Sequence, residues 1–153
     1  MPSLTHDEYT TAVDEGRWPD DPAVPLPEPF VNENGSIQNL VLKPLKSVAV
    51  IDSRRGAIRA SHFHKTDFHY TFVAKGRVLY FERNIGSTEI PKPRVFIAGD
   101  MFFTPPMREH AMLFAAESTV LTFAKNVRSH EEHEADVVRV QFITPEIAAE
   151  YLK

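Results

Sequence analysis

From Ser36 onward the chain is a succession of ten short β-prone runs: SIQNLVL, SVAVID, IRASHF, HYTFVA, RVLYFER, RVFI, MFFT, HAMLFA, TVLTFA and VVRVQFI. Gly, Pro, Asn, Asp or Ser separates them. Many short strands at such close, fairly regular spacing predict an all-β sandwich or barrel. RVLYFER adds a further constraint. Val78 and Tyr80 fall on one face and Leu79 and Phe81 on the other, whereas a strand half-exposed to water alternates apolar with polar residues. Both faces therefore need cover. A small barrel covers only its inner face, so the outer one calls for the N-terminal segment or a second subunit, and a homodimer is the favoured expectation.

The segments flanking the β-rich region have their own texture. Thr5 and Glu8 form a capping-box pattern, Tyr9 and Val13 lie one turn apart and Gly16 can close the last turn, which predicts a helix over residues 6–15. WPDDPAVPLPEPF follows, with five prolines from Pro19 to Pro29 whose fixed φ and missing N–H favour an extended strap. At the other end Thr144 as N-cap and Pro145 at the first helical position predict a helix in EIAAEYLK. The expected organisation is a helix and strap over 1–35, a β-barrel over 36–143 and a C-terminal helix over 144–153, with no internal repeat.

A chain of 153 residues can bury a core without disulfides, and it has no cysteine. Thiolate nucleophiles and Cys-ligated zinc are thereby excluded, so any metal must sit on His, Asp or Glu. A formal charge of −4 at pH 7, with no clustered basic face, argues against nucleic acid or an anionic membrane as partner. The acidic N-terminus lacks an apolar signal core and no apolar run reaches the ~18 residues of a membrane span, so a cytoplasmic location is expected.

Three of the seven histidines crowd into HFHKTDFH. His62 and His64 are two apart in an extended segment and share a face, expected to be the interior. Lys65 to Phe68 can turn the chain, so His69 opens a return strand beside them. Downstream, MFFT ends at Pro105-Pro106 and His110 opens another strand, which gives a fourth imidazole a route to the same pocket.

GAIRASHFHKTDFHYTFVAKG, from Gly56 to Gly76, resembles the first cupin motif, with His62, His64 and His69 at its ligand positions. GDMFFTPPMREH, from Gly99, resembles the second motif, with His110 at its histidine. The chain departs from the family at His69, where Glu is usual, at Met107, where Gly is usual, and at Phe114, where Asn is usual. The resemblance spans about residues 36–143 and implies a cupin-type jelly roll, or double-stranded β-helix. It also implies a metal on His62, His64, His69 and His110. Neutral imidazoles suit Zn, Fe or Ni and leave the ion's charge uncompensated, which makes a strong Lewis acid. The plain alternative is a set of hydrogen-bonded pocket histidines with no metal, although four buried imidazoles without a cation would leave several nitrogens seeking partners.

A narrower stretch, RASHFHK, resembles the R-G-x-H-x-H-K of small cupins that isomerise or epimerise nucleotide-linked 4-keto-6-deoxy sugars without a metal. There His62 and His64 would be acid and base, with Ala60 replacing a Gly and His69 a Gln. RSHEEHEADVVRV also resembles the tails of cupins from surface-polysaccharide clusters. Three functions follow: an isomerase or epimerase acting α to a carbonyl of an activated deoxysugar, a non-haem iron dioxygenase with an all-His site, or a binding or sensor module with a closed metal site. If His69 is a ligand, His69→Gln loses the metal. Tyr70 and Arg59 are further candidates for the catalytic pocket, Tyr70 against the usual packing role of strand aromatics and Arg59 as the best placed of the arginines for a diphosphate. His130 and His133 sit in SHEEHEAD, which reads as a solvated acidic turn, and alternation turns Glu109 away from His110.

Overall fold

The computed structural model describes residues 3–153. The capping box forms: the Thr5 side chain accepts from the Glu8 N–H at 3.1 Å, and the Glu8 carboxylate accepts from the Thr5 N–H at 2.9 Å, starting α1 (His6–Asp14). The proline-rich strap runs from there to a separate hairpin, β1 (Phe30–Asn32) and β2 (Gly35–Ile37). The first run after Ser36 thus pairs with the strap and joins neither main sheet.

The remaining strands are β3 (Ser47–Ser53), β4 (Ile58–His64), β5 (His69–Lys75), β6 (Arg77–Arg83), β7 (Arg94–Ile97), β8 (Met101–Thr104), β9 (Glu109–Phe114), β10 (Ser118–Ala124) and β11 (Val137–Arg139). They form two antiparallel sheets, ordered β3-β10-β5-β8 and β11-β4-β9-β6-β7. The two sheets face each other across one core, to which Val73 and Val120 come from the first and Tyr80, Phe96 and Phe114 from the second. The jelly-roll expectation is met as a sandwich of two sheets.

Each sheet also buries its outer face. Tyr9, Val13 and Val24 of the N-terminal region pack on Tyr70, Met101 and Phe103 of the first sheet. On the second, Leu79 and Phe81 of β6 lie against Phe142, Ile143 and Ala148. Each of the Val, Leu, Ile, Phe and Met side chains among them contributes about 1.5–3 kcal/mol on burial. RVLYFER is therefore covered on both faces, but the expected source of the outer cover is corrected. It is the C-terminal segment with α3 (Pro145–Tyr151), capped by Thr144, and neither the strap nor a second subunit.

SHEEHEAD also departs from expectation. Ser129 accepts from the Glu132 N–H at 3.3 Å and starts a short helix, α2 (His130–Asp136), which leads straight into β11. Turn chemistry is strict at Gly76, the single residue between β5 and β6. Its φ is +99°, and a Cβ there would lie 2.6 Å from Ser118 Cβ and 2.7 Å from the Glu117 carbonyl oxygen.

Candidate metal centre

β4 and β9 are neighbours, and His62 is the direct register partner of His110. The ladder slips between Ala60 and His62, where Ala60 (φ 69°) and Ser61 (φ 56°) take left-handed backbone conformations. This bulge re-aims β4 just before the histidines, the usual work of a bulge beside a site. His62 and His64 rings lie 4.8 Å apart, His62 and His110 4.8 Å, and His64 and His110 5.4 Å between centroids. One nitrogen from each falls within 4.8 Å of the others. Tetrahedral donors at about 2.1 Å from an ion lie about 3.4 Å apart, so a contraction of at most about 1.4 Å would complete a three-imidazole site.

The outer nitrogens are already engaged. His64 Nδ1 donates to Asp136 Oδ2 at 3.2 Å, and His110 Nδ1 donates to the Arg108 carbonyl oxygen at 3.3 Å, since a carboxylate and a carbonyl can only accept. Both rings thus turn an Nε2 lone pair inward. His64 Nε2 is buried and has no hydrogen-bond partner. An orphaned imidazole lone pair in the interior, held by a carboxylate from behind, is the arrangement a metal ligand needs. Burial, reinforced by neighbouring imidazoles, pushes the His62 pKa down to about 3 and that of His64 to about 4, and His110 lies well below its usual value for the same reasons. All three are neutral at pH 7 and able to ligate.

His69 comes from the opposite sheet, with its ring 4.5 Å from that of His64. It stands apart from the other three in its bonding. Its Nε2 donates to Asp67 Oδ2 at 2.9 Å, while Asp67 Oδ1 accepts from the Asn126 N–H at 2.9 Å. The four expected histidines fall into two overlapping groups of donor atoms within 4.8 Å: His62, His64 and His110, and His64 with the hydrogen-bonded pair Asp67 and His69 on the adjoining wall.

The other candidates fall on both sides of the wall. Arg59 lines the same cavity, of about 360 Å³, while its Nε donates to Ser53 Oγ at 2.7 Å. Tyr70 does not reach the cavity. It follows His69 on β5, faces the outer layer against Phe68 and Phe103, and its buried hydroxyl has no partner. His133, dismissed with the acidic turn, lies on α2 with its ring 6.0 Å from His62 and 5.7 Å from His64. The S-x-x-E pattern at Ser129 is the signal for it: a helix started there puts His133 and Asp136 on one face, i and i+3.

No family model matches the chain, and no curated protein matches it. Solved structures do match. ChmJ, a 3'-monoepimerase from Streptomyces bikiniensis in complex with dTDP-quinovose, aligns with a TM-score of 0.63 at 16% identity, covering 83% of this chain and 73% of its own. A 3,4-ketoisomerase from Helicobacter canadensis gives 0.61 at 14% identity, covering 82% and 90%. QdtA, a sugar 3,4-ketoisomerase from Thermoanaerobacterium thermosaccharolyticum in complex with TDP, gives 0.57 at 14%, covering 80% and 88%. The chain has the cupin fold. At these identities the likeness is one of fold, and the chemistry lies with the residues of this chain's own cavity.

Proposed function

We propose that this cupin is an isomerase or epimerase acting at a carbon α to a carbonyl of an activated, nucleotide-linked deoxysugar or similar small molecule, with a divalent transition metal on His62, His64 and His110. The observation that carries the reading is the buried, partnerless Nε2 of His64 facing His62 and His110, with Asp136 behind it. A bound Zn, Fe or Ni ion would polarise the substrate carbonyl and stabilise the charge that develops on its oxygen. The Asp67–His69 pair supplies the proton transfer. Asp67 holds the His69 Nε2–H, which leaves the Nδ1 lone pair as the base that takes the α-proton and returns it on the same face to the neighbouring carbon, as in a ketoisomerase; in an epimerase a water on the opposite face would supply the returning proton. The cavity of about 360 Å³ lies at the small end of ligand sites, enough for a sugar ring with the nucleotide outside. The three aligned relatives, two ketoisomerases and an epimerase, support the reaction class. A homodimer is supported by exposed Val48 and Val50 on edge strand β3 and Phe30, Val31 and Ile37 on the hairpin.

The test is metal analysis of protein purified without added metal, followed by incubation with TDP-4-keto-6-deoxyglucose in D2O under nitrogen. Near-stoichiometric metal and deuterium incorporation α to the carbonyl are expected. Turnover only in air would instead identify the all-His dioxygenase, and turnover in protein free of metal would return the acid and base roles to His62 and His64.

A further inference from the structure

The cavity contains an arginine that the proposed reaction leaves idle. Arg128, between β10 and α2, lines it half-buried, and its one hydrogen bond runs from Nη1 to Thr122 Oγ1 at 3.3 Å. A guanidinium carries five N–H donors in a fixed fork, so four remain without a protein acceptor among the described residues. None of the ion pairs among those residues involves Arg128. The other cavity arginines differ. Arg139 is neutralised by two hydrogen bonds to Glu134, at 2.9 and 2.8 Å, and Arg59 leans on Ser53 and the Asp52 carbonyl oxygen with no carboxylate partner.

The nearby carboxylates are occupied. Asp67 bonds His69 and the Asn126 N–H, and Asp136 bonds His64 and the Thr66 N–H and hydroxyl. Burial and the charge of Arg59 hold the Arg128 pKa below its usual value, with Asp67 opposing them. Two guanidiniums therefore sit in each other's field beside a group of imidazoles suited to a dication. A half-buried charge without a carboxylate partner is costly, and the Arg128 fork is complementary to a planar oxyanion.

We infer that the molecule entering this cavity carries a carboxylate, taken by the Arg128 fork with Arg59 at its flank, so that the substrate class is an oxo acid, in the carbohydrate series a keto sugar acid. The inference rests on the reading of the cavity as a carbonyl-processing site and selects, among the small molecules that reading admits, those that bear an acid group, in place of the neutral 6-deoxy sugar. A carboxylate within a cavity of this size lies close to the reacting carbonyl, whereas a nucleoside diphosphate has room only at its mouth.

The experiment uses the full chain with its metal content measured, and reads ligand affinity from the concentration dependence of thermal stabilisation. Pyruvate, uncharged methyl pyruvate and thymidine diphosphate are the probes. Pyruvate is expected to bind at least about tenfold more tightly than its ester, and Arg128→Met to lose at least about tenfold in pyruvate affinity while leaving the ester unchanged. Arg128→Lys, which keeps the charge, is expected to fall between the two. Equal binding of pyruvate and its ester, or pyruvate affinity untouched in Arg128→Met, would overturn the inference. So would an Arg128 dependence seen for thymidine diphosphate alone, or no stabilisation by pyruvate. The ester comparison needs no variant and survives a misfolded mutant. The two readings also fail separately: a chain that purifies without metal removes the metal-dependent reaction, while the Arg128 dependence of pyruvate binding is still read on that sample.

Discussion

Asp136 closes α2 onto the histidine cluster: its Oδ2 lies 3.2 Å from His64 Nδ1, across 72 residues of sequence. Its Oδ1 accepts from both the N–H and the hydroxyl of Thr66 at 2.8 Å. One carboxylate thus fixes the His64 tautomer, anchors the turn after β4 and tethers the helix that carries His133.

Asp136→Asn keeps the size and removes the charge. Carboxylates behind metal-bound histidines typically set 10- to 100-fold in affinity. We expect metal binding to weaken by about that factor, measured by competition with a chelator. Unchanged affinity would show that Asp136 does not act through His64.

The metal-stripped chain should be acid-sensitive. His62 and His64 fall from 6.5 to about 3 and about 4 on folding, and His110 falls well below 6.5. As pH drops below 6.5 the unfolded chain gains protons that the folded chain refuses, so stability declines and keeps declining until about pH 3–4. Each unit of displacement is worth about 1.4 kcal/mol, so His62 and His64 alone bring the loss to the order of a small domain's stability, and His110 acts in the same direction. Denaturant midpoints at pH 7.5, 6.5, 5.5 and 4.5 check this. A flat profile across that series would mean the rings are solvated or paired.

Strain is stored on both sides of the cluster. Ala60 and Met107, each standing where the resembled motifs have Gly, have φ values of 69° and 59°. The left-handed region costs a residue with a Cβ about 1–2 kcal/mol, partly offset by the greater freedom glycine has when unfolded. Ala60→Gly and Met107→Gly are each expected to stabilise by about 0.5–1 kcal/mol, a rise in Tm of roughly 1–4 °C for a chain of this size. Lower melting temperatures in both would show that the side chains contribute packing that outweighs the strain.

Much of the site follows from local periodicity. His62 and His64 share a face because strands repeat every two residues, and the same parity sends Tyr70 to the outer layer once His69 faces inward. The bonding of His69 depends on how the turn folds Asp67 back beneath it, which spacing does not reveal. His133 is missed because its charged neighbours outweigh a helix-start signal. The outer cover of β6 follows from which terminus packs where, a tertiary outcome no strand pattern encodes.

His69 tests the division of labour within the cavity. Were it a fourth ligand, as the motif spacing implies, His69→Gln would release the metal. Its Nε2 instead donates to Asp67 at 2.9 Å; donor atoms of His62, His64 and His110 converge within 4.8 Å, and those of His64, Asp67 and His69 form a second such group that shares His64. We therefore expect His69→Gln to retain stoichiometric metal while its rate of α-proton exchange falls by about 10²–10⁴, the usual contribution of a positioned base. His110→Gln should lose the metal first. Metal content by elemental analysis and deuterium exchange by NMR separate the cases, because a ligand role moves both readouts and a base role moves only the second.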